Sequence, residues 1–147
     1  MKIKKFLSHS IVYTSYLSQT VILESFQQKL AAHSVHFLQA LILTSLFFED
    51  REVRPLELHQ TFGIEKSNLS HSLRGLEKLG LLKRTMHPTD ARGYCFTLTA
   101  SGKKKALTLI KEFDVFQETI EAIMGVSKTN DVVKGMQTLI FNYSAKN

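Results

Sequence analysis

Six polar side chains between residues 66 and 74 have the types and the spacing of a surface that contacts nucleic acid. They are Lys66, Ser67, Asn68, Ser70, His71 and Arg74. Arg74 could bond the edge of a guanine through two donors, Asn68 could bond an adenine, and lysine or serine side chains hold phosphates. Leu69 and Leu73, four residues apart, need a core, so a helix here would turn most of these polar groups away from it.

Two short helices joined by a glycine turn would position this polar surface. Pro55 fits the first position of a helix over residues 55–62, because its missing N–H would be unpaired there anyway. Gly63 ends that helix, since glycine tolerates the left-handed conformation of a helix C-terminus. The first helix would be buried through Leu56, Leu58 and Phe62, and the second, over residues 66–79, through Leu69, Leu73, Leu76 and Leu79. Helix, tight turn and helix are typical of a helix-turn-helix.

A β-hairpin is predicted directly after the second helix, with strands over residues 81–86 and 94–98. Its turn would place Arg92 at the tip, where an arginine could enter a narrow minor groove. Asp90, two residues earlier, would repel phosphate if its carboxylate were free. Arg84 and the lysines at 83 and 103–105 are either contacts to a nucleic-acid backbone or solvated charges.

Apolar residues at helical spacing predict four further helices, over residues 6–32, 35–48, 100–124 and 128–143. Ser34 would cap the second of these, Gly125 would end the third and Ser127 would cap the last. The apolar stripe of the first is wider than one small core needs, so part of it would face a partner chain. A polar loop over residues 49–54 would end in a very short strand. The predicted fold is mainly α with a small β-wing (α+β).

Positive charge is concentrated in the middle of the chain. The net charge is +6, and residues 51–111 contain twelve basic and five acidic side chains. The segments before and after are nearly neutral. A basic middle favours a polyanionic partner, with nucleic acid first, although charge alone leaves a protein that binds nothing specific as an equal alternative.

Composition and motifs exclude several classes of protein. The single cysteine, Cys95, excludes an intramolecular disulfide framework and a cysteine-based zinc finger. No apolar run approaches the roughly 20 residues that span a bilayer, and the basic N-terminus is followed by sequence too polar for a signal peptide. A phosphate loop, a Ser/His/Asp arrangement and a His-Glu-x-x-His string are all absent, so we expect no enzyme, cofactor or metal. These features predict a soluble, cytoplasmic protein.

Three stretches, taken together and in order, resemble the MarR family of bacterial winged-helix transcriptional regulators. They cover residues 76–84 (LEKLGLLKR), 88–92 (PTDAR) and 98–102 (LTASG). In that family the second stretch is the Asp-x-Arg motif of the wing tip, and the third begins the long dimerisation helix. The resemblance implies one MarR-like domain over residues 1–147. Within it, residues 34–100 would form the winged helix-turn-helix lobe, and residues 6–32 and 100–144 the dimerisation helices.

The resemblance implies a homodimeric regulator that occupies an operator in double-stranded DNA, most often as a repressor. Its recognition helix would enter the major groove, and Asp90 would orient Arg92 through a salt bridge, as in the family pattern. Many members have an arginine where this chain has His71, so the expected sequence preference differs. A two-fold dimer would present its recognition helices about one DNA turn, roughly 34 Å, apart, which predicts a pseudo-palindromic site.

Members of the family are usually controlled by a small, often aromatic or anionic ligand between the dimer helices and the DNA-binding lobe. Such an effector would favour a dimer whose recognition helices are wrongly spaced for DNA. Polar candidates for its pocket are Tyr13, Tyr16 and His36, with ordinary packing as the alternative for each. A regulator that responds to no ligand is an equally open alternative.

A second class of function is a winged-helix module that binds protein and has no specific affinity for DNA. A module of that kind has no need of a basic wing tip at Arg92 or of a basic recognition helix. Some members of the resembled family sense oxidants through a cysteine in the first helix. Cys95 falls in the second strand of the hairpin instead, so we expect it to be a small packed residue.

Overall fold

The computed structural model describes residues 2–86 and 93–144. Its first helices are α1 (Lys2–Leu7), α2 (Ile11–Ala31), α3 (Phe37–Glu49), α4 (Pro55–Phe62) and α5 (Lys66–Lys78). Strands β1 (Leu82–Met86) and β2 (Tyr94–Leu98) follow, and then helices α6 (Ala100–Met124) and α7 (Val126–Ser144). This order confirms the predicted fold, mainly α with a small β-wing. The chain divides into two compact units, Met1–Ile110 and Lys111–Asn147.

The first predicted helix is in fact two helices, because polar side chains interrupt it. The sequence predicted one helix over residues 6–32, whereas α1 and α2 are separate. Nδ1 of His9 lies 2.8 Å from the carbonyl oxygen of Lys5, at the end of α1. The Ser10 hydroxyl accepts the N–H of Tyr13 at 3.3 Å and so caps α2. Bonds from side chains to the backbone therefore end one helix and start the next.

The turn between α2 and α3 is held by Gln27. The predicted cap at Ser34 is wrong, since Ser34 is in the turn with a left-handed φ of 56° and the N-cap of α3 is His36. The side-chain oxygen of Gln27 accepts the N–H of Phe37 at 2.8 Å, and its nitrogen donates to the carbonyl of Val35 at 3.3 Å. One side chain of α2 thus satisfies two backbone groups at the start of α3 and fixes the two helices relative to each other.

Helix α3 lies at the centre of the first unit and contacts α2, α5 and β2. It is buried on most sides, as its apolar sequence predicted. The fully buried side chains of this core include Leu30, Ala40, Ile42, Leu43, Leu73, Leu76 and Leu109. Because α4 and α5 pack on this core with one side only, their other faces remain open to solvent.

Two leucines that the sequence assigned to the core, Leu56 and Leu79, are exposed. Leu56 and Leu58 are two residues apart in α4, so they point about 200° away from each other, on nearly opposite faces. Leu58 is buried. Because Leu56 points the other way, its side chain is exposed to solvent. Leu79 is the residue after the end of α5, no longer on its buried face, and is 58% exposed.

Strands β1 and β2 pair antiparallel, with Leu82 opposite Leu98 and Met86 opposite Tyr94. Val53 adds a single bridge on the other side of β2, where two backbone hydrogen bonds of 3.0 and 2.9 Å join it to Phe96. This bridge is the very short strand predicted before Pro55. It ties the hairpin to the segment that leads into α4.

Helix α6 begins in the first unit with a close backbone approach at Gly102. A Cβ at this position would overlap the carbonyl oxygen of Leu81. The hydroxyl of Thr99 donates to the carbonyl of Gly80 at 2.7 Å and accepts the N–H of Gly102 at 3.0 Å. The start of α6 is thus bonded directly to the turn that follows α5.

The second unit contains the remainder of α6 and α7. Gly125, with φ of 86°, follows α6 as predicted. Helix α7 starts at once with Val126, so Ser127 is inside the helix and the predicted cap there is wrong. The buried Thr129 donates its hydroxyl to the carbonyl of Gly125 at 3.0 Å. Across the described residues of both units, no helix combines the length and the apolar character that crossing a membrane would require.

Candidate nucleic-acid interface

Helix α5 separates its apolar and polar side chains on two faces. Leu69, Leu73 and Leu76 are buried. The exposed side chains are Lys66, Ser67, Asn68, His71 and Arg74, and Ser70 is half-buried. Nε of Arg74 donates to the carbonyl of Ser70 at 3.2 Å. This bond uses one of the five donors of the guanidinium and holds it along the polar face.

The first turn of α5 favours an anion. The N–H of Leu69 is bonded to the carbonyl of Glu65 at 3.1 Å, whereas the N–H groups of the first helical residues have no acceptor inside the helix. These N–H groups and the helix dipole attract negative charge, and the exposed Lys66 adds a full positive charge beside them. Glu65 adds a carboxylate at the same end, so a phosphate is favoured on the Lys66 side of the turn.

His59 fixes the turn between α4 and α5, a role that the sequence analysis missed. Its Nδ1 lies 2.6 Å from the carbonyl oxygen of Ile64. Gly63, with φ of 61°, donates its N–H to the carbonyl of His59 at 3.0 Å. The two bonds join the end of α4 to the residues just before α5. A single histidine outside any motif gave no signal of this in the sequence.

Tyr94, the first residue of β2, holds Arg84 in place on the wing, and the sequence analysis missed this residue as well. The guanidinium carbon of Arg84 lies 3.9 Å from the centre of the Tyr94 ring, a cation–π contact. Tyr94 also lines a pocket of about 270 Å³ together with Lys66 and Ser70. In the hairpin register Arg84 is opposite Phe96, so Tyr94 is its diagonal neighbour, and counting the register could have found the pair.

The predicted tip of the wing lies outside the described residues. Asp90 and Arg92 belong to residues 87–92, and the salt bridge between them stays a prediction. The described part of the wing shows Lys83 and Arg84 exposed on β1. The described part of the wing thus adds two exposed basic side chains to those of α5.

The three lysines at the start of α6 are in different environments. Nζ of Lys103 lies 3.3 Å from a carboxylate oxygen of Asp50. Lys104 and Lys105 have no acidic partner within residues 2–86 and 93–144 and line a separate pocket of about 450 Å³. The sequence gave these three residues the same description, because only the position of Lys103 beside Asp50, the residue that follows α3, distinguishes it from the other two.

The three effector candidates are not brought together within one chain. Tyr13 and Tyr16 are near the start of α2, where Tyr16 is exposed. His36 is the N-cap of α3, next to Phe37, whose N–H donates to Gln27. Gln27 is fourteen residues beyond Tyr13, about 21 Å along the helix axis. A shared pocket of these residues in a single chain is thus not formed, and their role stays a prediction.

Cys95 is buried in β2. Its burial, more than any neighbouring charge, raises the pKa of the thiol above the ordinary value, so the reactive thiolate is scarce near neutral pH. Across the described residues, no group of three or more histidine, cysteine or acidic side chains is placed to hold a metal ion.

Comparison with known proteins gives the same architecture. Residues 35–102 match a protein family described as a winged helix DNA-binding domain. No curated protein matches the chain in sequence. The matched segment runs from the start of α3 to the start of α6 and includes α5 and the wing.

Solved structures match nearly the whole chain. The S. aureus MepR–DNA complex has a TM-score of 0.80 and 18% identity over 90% of this chain and 98% of its own. The transcriptional repressor CouR, bound to a 23-mer DNA duplex, has a TM-score of 0.83 and 22% identity over 90% and 94%. MarR from E. coli, in its apo form, has a TM-score of 0.74 and 14% identity over 89% and 97%. The resemblance to the MarR family is thereby confirmed in the fold, a winged helix flanked by terminal helices.

Proposed function

We propose that this chain, with the fold of the MarR regulators, is a transcriptional regulator that binds double-stranded DNA in a sequence-specific manner. The observation that carries the proposal is the exposed face of α5, where five polar or basic side chains lie opposite three buried leucines. The solved relatives with this fold include two complexes with DNA. In the cytoplasm of a bacterium such a protein would occupy an operator and act as a repressor.

On DNA, α5 would enter the major groove with its first turns. Arg74 would read a base edge, where a bidentate contact to guanine discriminates most strongly, and Asn68 could read an adenine. Lys66 and the free N–H groups of the first turn would hold a phosphate and so set the position of the helix. Arg84, held over Tyr94, would contact the backbone beside the groove. At the wing tip, Arg92 would enter the minor groove and Asp90 would orient it through a salt bridge.

The protein would act as a homodimer. Helix α2 in the first unit and α7 in the second each expose a series of large apolar side chains, among them Val12, Tyr16, Ile140 and Phe141. Exposed apolar surface of this extent marks an association site. Two copies related by a two-fold axis would present two α5 helices to successive major grooves, so the operator would be pseudo-palindromic.

Control by a small ligand is part of the proposal. An effector that binds more tightly to a dimer with wrongly spaced recognition helices would release the operator. Tyr13, Tyr16 and His36 remain candidates for such a site, in which residues of two copies would have to meet.

Selection of bound sequences from random duplex DNA tests the proposal. The purified protein should enrich two inverted half-sites about one helical turn, roughly 34 Å, apart. Affinity should fall linearly with salt on logarithmic axes, because bound phosphates release counterions. Arg74→Ala should weaken binding about 10- to 100-fold and relax one position of the site. Lys66→Ala should weaken all sequences alike and lower the salt slope by about 1.

Lys111→Ala is the matched control, since Lys111 is exposed on α6 and is not among the residues proposed to contact DNA or the second copy. It should leave affinity and sequence preference unchanged. If no sequence is enriched and binding at low salt is weak and uniform, the DNA-binding proposal fails. The winged-helix module for protein partners would then be the better description.

A further inference from the structure

Two glutamine side chains bond the backbone at the start of α3. Gln27 of α2 accepts the N–H of Phe37 at 2.8 Å and donates to the carbonyl of Val35 at 3.3 Å. Gln39, in the first turn of α3, accepts the N–H of His36 at 3.0 Å. Two successive N–H groups at this helix start, which have no acceptor inside the helix, are thus bonded by side chains from two different helices.

The nitrogen of the Gln39 side chain lies against α5. A Cβ added at Gly75 would come within 3.1 Å of this nitrogen, which is closer than side chains usually approach. Gly75 is inside α5, where glycine is less favourable for the helix than alanine. The approach of Gln39 gives a physical reason for a glycine at this position, and it makes Gln39 a contact between the start of α3 and the recognition helix.

Aromatic packing also joins α2 to α3. The buried ring of Phe26 in α2 meets the ring of Phe37 edge to face, with centroids 6.2 Å apart and an angle of 80° between the planes. Apolar contacts of this kind hold the helices together but are largely non-directional. The two hydrogen bonds of Gln27 require one orientation, because their strength falls steeply with angle. Gln27 therefore determines how α3 is rotated on α2.

We propose that Gln27 and Gln39 are positioning residues that fix the orientation of α5 relative to α2, and so set the distance between the two α5 helices of the dimer. Helix α2 carries apolar surface proposed to contact the second copy, and α5 carries the polar face proposed to contact DNA. A small rotation at the start of α3 would move its far end, about 20 Å away, and the elements packed on it. The inference rests on the proposed DNA-binding dimer and deepens it by naming what sets the spacing of the half-sites.

The distance between the two α5 helices can be measured without DNA. In the full-length variant Cys95→Ala/Lys78→Cys, a nitroxide on exposed position 78 reports that distance by pulsed electron paramagnetic resonance. We expect a narrow distribution of distances, and a broader or shifted one when Gln27→Met is added. Methionine has nearly the helix propensity of glutamine, but it cannot donate a hydrogen bond and accepts only weakly. Gln28→Met is the matched control, because Gln28 is the next residue of α2 and is exposed. It should leave the distribution unchanged.

Operators of different spacing test the consequence for DNA binding. Inserting one base pair between the half-sites moves the second by about 3.4 Å and turns it by about 35°, so wild type should bind the altered operator at least about tenfold more weakly. Gln27→Met and Gln39→Ala should reduce this ratio to about threefold or less. Their affinity for a single half-site should equal that of wild type. If the glutamines only stabilised the lobe, the affinity for the single half-site would fall as well.

Gly75→Ala tests the contact with Gln39 separately, since the new Cβ would displace the amide. It should lower the spacing ratio in wild type and leave it unchanged in the Gln39→Ala background, because residues in contact act non-additively. Equal effects in both backgrounds would contradict the contact. An unchanged distance distribution or an unchanged spacing ratio in Gln27→Met would overturn the inference while sequence-specific binding remained. If wild type selected no operator, the proposed function and this inference would fail together.

Discussion

At the scale of single residues, Gly102 is needed because a side chain would not fit there. Its backbone conformation alone would not require a glycine. Its helix geometry is ordinary, but a Cβ there would overlap the carbonyl oxygen of Leu81 and would come within 3.2 Å of Leu98. That carbonyl already accepts the N–H of Thr99. Any side chain at 102 would push α6 away from the turn that ends α5.

Gly102→Ala should therefore lower the free energy of unfolding by about 1–3 kcal/mol, as overpacked sites do. Gly135→Ala is the matched control, because a Cβ at that helical position meets nothing within 4 Å. It should raise the free energy of unfolding by up to about 1 kcal/mol through helix propensity. Urea denaturation at one fixed protein concentration measures both. Equal stabilisation by the two substitutions would show that no close approach exists at Gly102.

The sequence was least informative about the contacts that individual side chains make. The polar face of α5 could be predicted, because the spacing of Leu69 and Leu73 settles which side is buried. The contact of Tyr94 with Arg84 could not be predicted without the hairpin register, and the bond from His59 to Ile64 required the turn geometry. The N-cap of α3 is His36 and not Ser34, because capping depends on which residue is extended, and composition does not reveal that.

At the scale of elements, the start of α4 depends on one carboxylate. Glu57 accepts the N–H of Arg54 at 2.9 Å at one oxygen and a guanidinium hydrogen bond from Arg51 at 2.7 Å at the other. Arg51 also bonds Glu49 at 2.9 Å. The hydrogen bond from Arg51, followed by that from Arg54, lowers the pKa of Glu57. The loop after α3 is thereby attached to the first helix of the helix-turn-helix.

This attachment should weaken in acid. Because the folded pKa of Glu57 lies below its ordinary value, its stabilising effect is complete above the unfolded pKa, about 4.3, and is lost as the pH falls through the folded value. Glu57→Gln should thus destabilise the protein most near pH 6–7, and the difference from wild type should disappear near pH 2–3. High salt should reduce the difference, since the pair is partly exposed.

Glu118→Gln provides the control, as Glu118 is exposed and has no ion-pair partner in the described part of the chain. Its unfolding free energy should follow that of wild type across the same pH range. A difference between Glu57→Gln and wild type that did not change with pH would contradict the role of the charge.

Most elements could be predicted from the sequence because their ends carry strong local signals. Pro55, Gly63 and Gly125 bound their helices as expected. The division of the predicted helix over residues 6–32 was missed, because it depends on His9 and Ser10 bonding the backbone while the apolar spacing continues past them. Helical periodicity reports which face is buried and does not report where such a bond interrupts the helix.

At the scale of the whole molecule, charge and apolar surface are in different parts of the chain. The positive excess lies in residues 51–111, which contain α4, α5 and the wing. The large exposed apolar side chains are most numerous on α2 and α7, where Val12 is 77% and Phe141 75% exposed. A basic segment for a polyanion and apolar segments for a second copy are what a dimeric DNA-binding protein requires.

A substitution on the apolar side of α7 should therefore disrupt the dimer without unfolding the winged helix-turn-helix lobe. Ile140→Asp/Phe141→Asp places two charges on the apolar side of α7, where burying them against a second copy would be costly. Sedimentation velocity should show the wild type as a dimer and this variant shifted towards monomer. Its affinity for a two-half-site operator should fall about 100-fold or more, because the two half-sites would no longer be bound by one linked molecule.

Phe48→Ser is the control for Ile140→Asp/Phe141→Asp. It tests whether the loss of the dimer comes from a specific interface or from any replacement of an exposed apolar side chain by a polar one. Phe48 is 73% exposed, as much as Phe141, but it lies at the end of α3 and not on a terminal helix. This substitution should leave both the dimer and the operator affinity unchanged. If Ile140→Asp/Phe141→Asp remained dimeric, the partner copy would have to be held by other surfaces. If it were monomeric with full operator affinity, two-fold recognition of the operator would be wrong.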